Sequence, residues 1–149
     1  MLIPILYGSP SDEIFIKKIT AELDKLNIPY QKHVGSAHKV PEKVLQVIQE
    51  YNNSADQICY ITVAGRSNAL SGMVAANSLH PVIACPPFEN KEDMILNINS
   101  SLMMPSETPV MTVIDPKNAV LSAAKILGLG NKDLQNRIKT RIEEVKKKF

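Results

Sequence analysis

The chain has 149 residues, 44% hydrophobic and 21% charged, with a formal net charge of +2, which fits one soluble domain with a buried core. No apolar run is long enough to span a bilayer, and residues 2–7 are too short and lack the basic leader of a signal peptide, so cytoplasmic residence and no membrane partner are expected. The basic excess sits in the tail, where residues 132–149 hold seven Lys/Arg against three Asp/Glu. Apolar spacing at Leu134, Ile138, Ile142, Val145 and Phe149 makes that tail an amphipathic helix with a solvated basic face, not a nucleic-acid arm.

Residues 2–7 form the first apolar strand and end at Gly8-Ser9-Pro10-Ser11-Asp12. Pro4 cannot donate to a ladder, so it belongs among that strand's first residues. Helical spacing follows over 11–27, with Phe15, Ile19, Leu23 and Leu26 on one face and Ser11 or Asp12 as N-cap. A second strand, 30–34, ends at Ser36-Ala37-His38-Lys39, and Pro41 opens a helix with Val44, Val47, Ile48 and Tyr51 aligned. The third strand, 58–63, runs into Ala64-Gly65-Arg66-Ser67-Asn68 and a small-residue helix over 69–78. A fourth, 82–85, ends at Pro86-Pro87. Helical periodicity returns over 94–102, a fifth strand covers 110–114, and a helix runs from 116 to about 127, where Gly128 and Gly130 end it.

Strands alternating with helices predict an α/β domain with a three-layer, flavodoxin-like fold: a five-stranded parallel sheet in the order 2-1-3-4-5, with right-handed crossovers. The expected division is an α/β unit over 1–130 and a C-terminal helix over 131–149, part of the same domain or its oligomer contact.

Open α/β sheets bind ligands at the carboxyl ends of their strands, which is where the polar loops fall. The first loop offers Gly8 for a sharp turn and, after Pro10, amides at a helix N-terminus that suit an anion. Ser9 and Ser11 add hydroxyls, and Asp12 a carboxylate suited to ribose. Neither Gly-x-x-x-x-Gly-Lys nor Gly-x-Gly-x-x-Gly is present, which argues against a Walker-type or dinucleotide site. Taken alone, Ser11 and Asp12 could be no more than a helix cap.

The second loop brings hydroxyl and cation, Ser36 and Lys39, and in His38 an imidazole able to move a proton near neutral pH. His33 lies within a strand and His80 precedes Pro81 at a strand entry, so both have structural places. The third loop adds Arg66, Ser67 and Asn68 after Gly65. Cys59 and Cys85 lie in apolar runs and read as buried, reduced thiols, and no Cys or His pair stands at metal-ligand spacing.

In order and approximate spacing, Gly8-Ser9-x-Ser11-Asp12, Ser36-Ala37-His38-Lys39, Val63-Ala64-Gly65-Arg66-Ser67-Asn68, Gly72-Met73-Val74-Ala75, Pro81-Val82-Ile83 and Ser101-Leu102-x-x-Pro105-Ser106 resemble the PurE family of purine biosynthesis, over roughly residues 2–130. The resemblance is to its class II, or carboxylase, branch. Lys39 stands where the mutase branch carries arginine, Arg66-Ser67-Asn68 where it carries Gly-Ala-Ala, and Ala69 where it carries a histidine. Cys85-Pro86-Pro87 also follows the carboxylase pattern.

This resemblance implies a phosphoribosylaminoimidazole carboxylase, which joins carbon dioxide to C4 of 5-aminoimidazole ribonucleotide with no cofactor: no ATP, biotin or metal. It implies His38 as the proton-transferring base, Ser36, Lys39 and Ser11 on the phosphate, Ser9 and Asp12 on the ribose, and Ser67 on the base or its new carboxylate. Gly65, Arg66 and Asn68 complete the substrate-binding set, and Ala69 and Gly72 line a dry carbon dioxide pocket. A homo-oligomer, tetramer or octamer, is implied as well. Two rivals stand beside this reading: the N-carboxyaminoimidazole ribonucleotide mutase of the same family, and a non-catalytic nucleotide-binding module in which His38 is structural. Isotopic exchange at C4 separates enzyme from binder.

Overall fold

Apolar alternation along the strands decides which helices cover which face of the sheet. A computed structural model describes residues 1–149. In chain order it contains β1 (Ile3–Tyr7), a 3-10 turn (Pro10–Asp12), α1 (Glu13–Lys25), β2 (Tyr30–Val34), α2 (Pro41–Asn52), β3 (Tyr60–Val63), α3 (Ala69–Asn77), β4 (Val82–Ala84), α4 (Lys91–Asn97), α5 (Asn99–Leu102), β5 (Met111–Thr112), α6 (Pro116–Gly128) and α7 (Lys132–Lys146). All strand pairs are parallel and the order is β2-β1-β3-β4-β5, a flavodoxin-like sheet.

Ile3, Ile5 and Tyr7 of β1 and Ile61 and Val63 of β3 point to one face, where α1, α6 and α7 cover them in a core of 20 buried residues. Leu6 and Tyr60 point to the other, where α2 and α3 close a second core of 12. Pro4 explains a local gap between β1 and β3. Leu2 and Ile58 form an isolated bridge, and the continuous ladder begins only at Ile5 and Ile61, beyond the residue that lacks an N–H.

Several local expectations are corrected. Asp12 stands at the N-cap of α1, as one of the two expected residues, but makes no side-chain cap bond there; Ser9 caps the 3-10 turn before it, its side chain accepting from the Ser11 amide while Asp12 Oδ2 accepts from the Ser9 amide at 3.0 Å. Within α1, Ile16 joins Ile19 and Leu23 in the core, and Phe15 packs against it half-buried. Predicted helix 94–102 is broken into α4 and α5.

No glycine takes a left-handed φ. Gly8 therefore makes no special turn; its amide extends the β1–β3 ladder by donating to the Val63 carbonyl at 2.9 Å. Gly128 does not stop α6 but is buried within its last turn, where a Cβ would meet Ile138 Cδ1 of α7 at 3.4 Å. The tail stripe is divided. Leu134 and Ile138 enter the main core, whereas Ile142, Val145 and Phe149 are exposed. No helix is long and apolar enough to cross a membrane.

Candidate active site

Parallel strands bring all their carboxyl ends to one rim, so the loops after β1, β2, β3 and β4 meet there. They enclose a cleft of about 850 Å³. Gly8, Ser9, Ser11 and Asp12 form one wall, Ser36, His38 and Lys39 a second, and Gly65, Arg66 and Ser67 a third.

The amides of the first loop are not free for an anion. Those of Ser11 and Asp12 are bound to Ser9, the latter at 3.0 Å to its carbonyl, and that of Glu13 donates to Pro10. The donors left on this wall are hydroxyls. Ser9 and Ser11 share a 2.8 Å hydrogen bond between their Oγ atoms. Burial raises the Asp12 carboxyl above its ordinary range, opposed by the Ser9 amide that it accepts. A carboxylate short of donors is suited to accepting from a diol.

His38 owes its place to a tight turn after β2. The Lys39 and Val40 amides both donate to the Ser36 carbonyl, at 3.2 and 2.9 Å, which throws the intervening side chains outward. His38 and Lys39 are exposed, and neither forms a side-chain hydrogen bond or ion pair within the chain. His33 and His80 have the opposite character: His33 Nε2 lies 2.7 Å from the Tyr51 hydroxyl, and His80 Nε2 3.1 Å from the Tyr51 carbonyl.

The third wall contains the strained residue of the cleft. Ser67 has φ 51°, a left-handed conformation that costs a non-glycine residue about 1–2 kcal/mol. Its neighbour Asn68 is 3% exposed and does not line the cleft. Instead Asn68 caps α3: Oδ1 accepts from the Ser71 amide at 3.1 Å, and Nδ2 donates to Ser101 Oγ at 3.0 Å. Asn68, expected among the substrate-binding residues, thus stands behind the cleft wall with its side-chain atoms bonded inside the protein.

Ala69 and Gly72 also lie off the cleft wall. A Cβ on Gly72 would meet Met104 Sδ at 3.2 Å and Thr108 Cγ2 at 3.9 Å, so Gly72 is packed against that segment. The apolar surface of the cleft comes from Ala64, Leu70, Pro87 and Phe88.

Phe15, Lys18, Glu89 and Asp93 line the cleft and were missed from sequence. The signal was available in the topology: residues that open the helix after a strand, and the Pro86-Pro87 loop after β4, share the rim by the same rule that located the other loops. Lys18 stands 5.6 Å from the centroid of the Phe15 ring. Asp93 is engaged locally, accepting from the Glu89 amide and the Asn97 side chain. Cys59 and Cys85 are buried away from the cleft, and burial pushes both thiols up to about 12.

Comparison with known proteins adds an independent line. The family model described as AIR carboxylase matches residues 2–148, which extends the resemblance from residue 130 through α7. A phosphoribosylaminoimidazole carboxylase of Archaeoglobus fulgidus is 43% identical over 134 residues, 90% of this chain and 73% of that one. A Drosophila melanogaster bifunctional phosphoribosylaminoimidazole carboxylase/phosphoribosylaminoimidazole succinocarboxamide synthetase is 41% identical over 87% of this chain, which spans only 30% of that longer protein. The crystal structure of Treponema denticola PurE superposes with a TM-score of 0.92 at 41% identity, covering 99% of this chain and 92% of that one.

Proposed function

The chain belongs to the AIR carboxylase family, and from that membership we propose that it carboxylates 5-aminoimidazole ribonucleotide at C4 with carbon dioxide, in purine biosynthesis, without ATP, biotin or metal. One observation carries the reading furthest: a single turn after β2 offers His38 and Lys39 side by side to the cleft, a proton carrier next to a cation for phosphate.

The amino-substituted imidazole is an enamine, nucleophilic at C4. Its electron pair forms the new bond to the carbon of carbon dioxide, and one C–O π pair becomes the carboxylate charge. C4 then holds both the carboxylate and its original proton. Neutral His38 takes that proton, the C–H pair restores the aromatic ring, and the imidazolium later releases the proton to solvent. Ser36, Lys39 and Ser11 hold the phosphate, Ser9 and Asp12 the ribose, and Gly65, Arg66 and Ser67 the base and its new carboxylate. Carbon dioxide is small and apolar, so Ala64, Leu70 and Pro87 suit it better than Ala69 and Gly72.

The reading takes residues 1–130 as the catalytic unit and 131–149 as a helix of the same domain. Leu96 and Met103, each 78% exposed on or beside α4 and α5, favour a homo-oligomer, tetramer or octamer, that buries them. The test is purified chain with 5-aminoimidazole ribonucleotide and no ATP. The 4-carboxy product should form at a rate that rises with dissolved carbon dioxide; no product at any carbon dioxide level contradicts the proposal.

A further inference from the structure

A run of buried hydroxyls and one amide links β3, α3 and α5 behind the third wall of the cleft. Ser71 Oγ donates to Asn68 Oδ1 at 2.8 Å, and with that proton committed, Thr62 Oγ1 is the donor in its 2.7 Å contact with Ser71 Oγ. Asn68 Nδ2 continues the run to Ser101 Oγ, and the Asn68 amide donates to Ser100 Oγ at 3.1 Å. Thr62, Asn68, Ser71 and Ser101 are each at most 3% exposed, and none lines the cleft. Each buried side-chain polar atom in this run has a partner, and a displacement that breaks one of these bonds leaves a buried donor or acceptor unpaired, which favours one local geometry.

Ser67, the residue immediately before this anchor, is the one that faces the cleft with a left-handed φ. Such a conformation persists only where its surroundings over-determine it. We propose that Asn68 is a positioning residue: tied to Ser71 and Ser101, it holds the Gly65–Asn68 turn so that Ser67 is presented to the substrate base. A simple helix cap would need only Oδ1. The Nδ2 bond to Ser101 ties the turn to the distant segment α5, whose Ser101 carbonyl accepts in turn from Thr112 Oγ1 of β5 at 3.1 Å. The inference rests on the carboxylase reading for its kinetic consequence and on the geometry alone for its mechanical one.

The test is a pair of substitutions in two backgrounds. Asn68→Ala should lower kcat by about tenfold to a hundredfold, the scale of a misplaced contact group, while KM for the ribonucleotide stays within about threefold because the other two walls hold the phosphate and ribose. In a Ser67→Gly background, where a left-handed φ carries no strain, the same Asn68→Ala change should cost no more than about threefold. Equal losses in the two backgrounds, or an unchanged kcat in Asn68→Ala, overturn the proposal. Should Asn68→Ala fail to fold, Ser101→Ala removes the distant half of the anchor and is read the same way. Hydrogen exchange without substrate supplies the second readout: the amides of residues 68 and 69, bonded to Ser100 Oγ and to the Ser67 carbonyl, should exchange faster in either variant while that of Lys39 does not. Unchanged exchange at 68 and 69 overturns the positioning role, whether or not the wild-type chain proves to be a carboxylase.

Discussion

His33 and His38 stand on either side of the end of β2, and the fold treats them in opposite ways. His33 is half-buried against α2; the Tyr51 hydroxyl donates to Gln31 Oε1 at 2.7 Å, which leaves His33 Nε2 to donate to the Tyr51 oxygen. His38 is carried past the strand by the Ser36 turn into the cleft, exposed and with no side-chain partner in the chain. The packed side of this unit holds its polar atoms in protein bonds and contributes stability. The cleft side keeps imidazole and ammonium uncommitted, which a substrate with a phosphate and a transferable proton requires. The same short segment thus divides into a structural half and a chemical half, and substitutions on each half should fail in different ways.

The largest effect expected is that of His38→Asn, which should lower turnover by about 10²–10⁴-fold, the usual contribution of a general base, with nucleotide affinity within about tenfold. Parallel kinetics and titration calorimetry check it; equal rates for variant and wild type remove His38 from the chemistry. On the packed half, Ile48→Ala, at a residue 1% exposed, should cost about 2–5 kcal/mol in denaturant unfolding while the folded protein keeps its kcat. A large fall in kcat there would erase the division. Lys39→Ala should weaken the ribonucleotide by about 1.5–3 kcal/mol, the range for a hydrogen bond to a charged group, with wild-type binding also weakened by salt. Unchanged affinity would place the phosphate elsewhere.

The smallest effect concerns pH. Burial holds the His33 imidazole below its ordinary 6.5 in the folded chain. The unfolded chain therefore binds more protons in the window just below 6.5, so this contribution is full above that pH and is lost as pH falls toward the folded value. Urea unfolding as a function of pH should show a decline that His33→Gln flattens. An identical decline in the variant would assign it to other groups.

The fold was legible because its signals are local. Each strand is a short apolar run closed by turn residues, and each helix after it repeats apolar side chains at helical spacing, so alternation pointed to a parallel sheet; its order, chosen as flavodoxin-like, matches the order found. The motif-bearing loops were legible for the same reason, since strand ends mark the rim. What was not legible depended on distant segments. Ser67 and Asn68 are adjacent polar residues, and the second is held inside by its cap bonds to Ser71 and by Ser101, which arrives from α5. Gly72 is covered by Met104, which no pattern around Ala69–Asn77 announces. Phe15 lies where its spacing puts it, packed against the main core, but at the rim of the cleft, so it is only half-buried.

The central claim is that the cleft takes carbon dioxide from solution and not from a carboxylate already on the substrate. Unlabelled N-carboxylated aminoimidazole ribonucleotide, supplied to the purified chain in a solution saturated with isotopically labelled carbon dioxide, tests this most directly by mass spectrometry of the 4-carboxy product. The account predicts label in the product, because the nucleotide must first lose its own carbon dioxide and then be carboxylated from solution. Unlabelled product formed under those conditions would mean internal transfer, and would replace the carboxylase with a mutase.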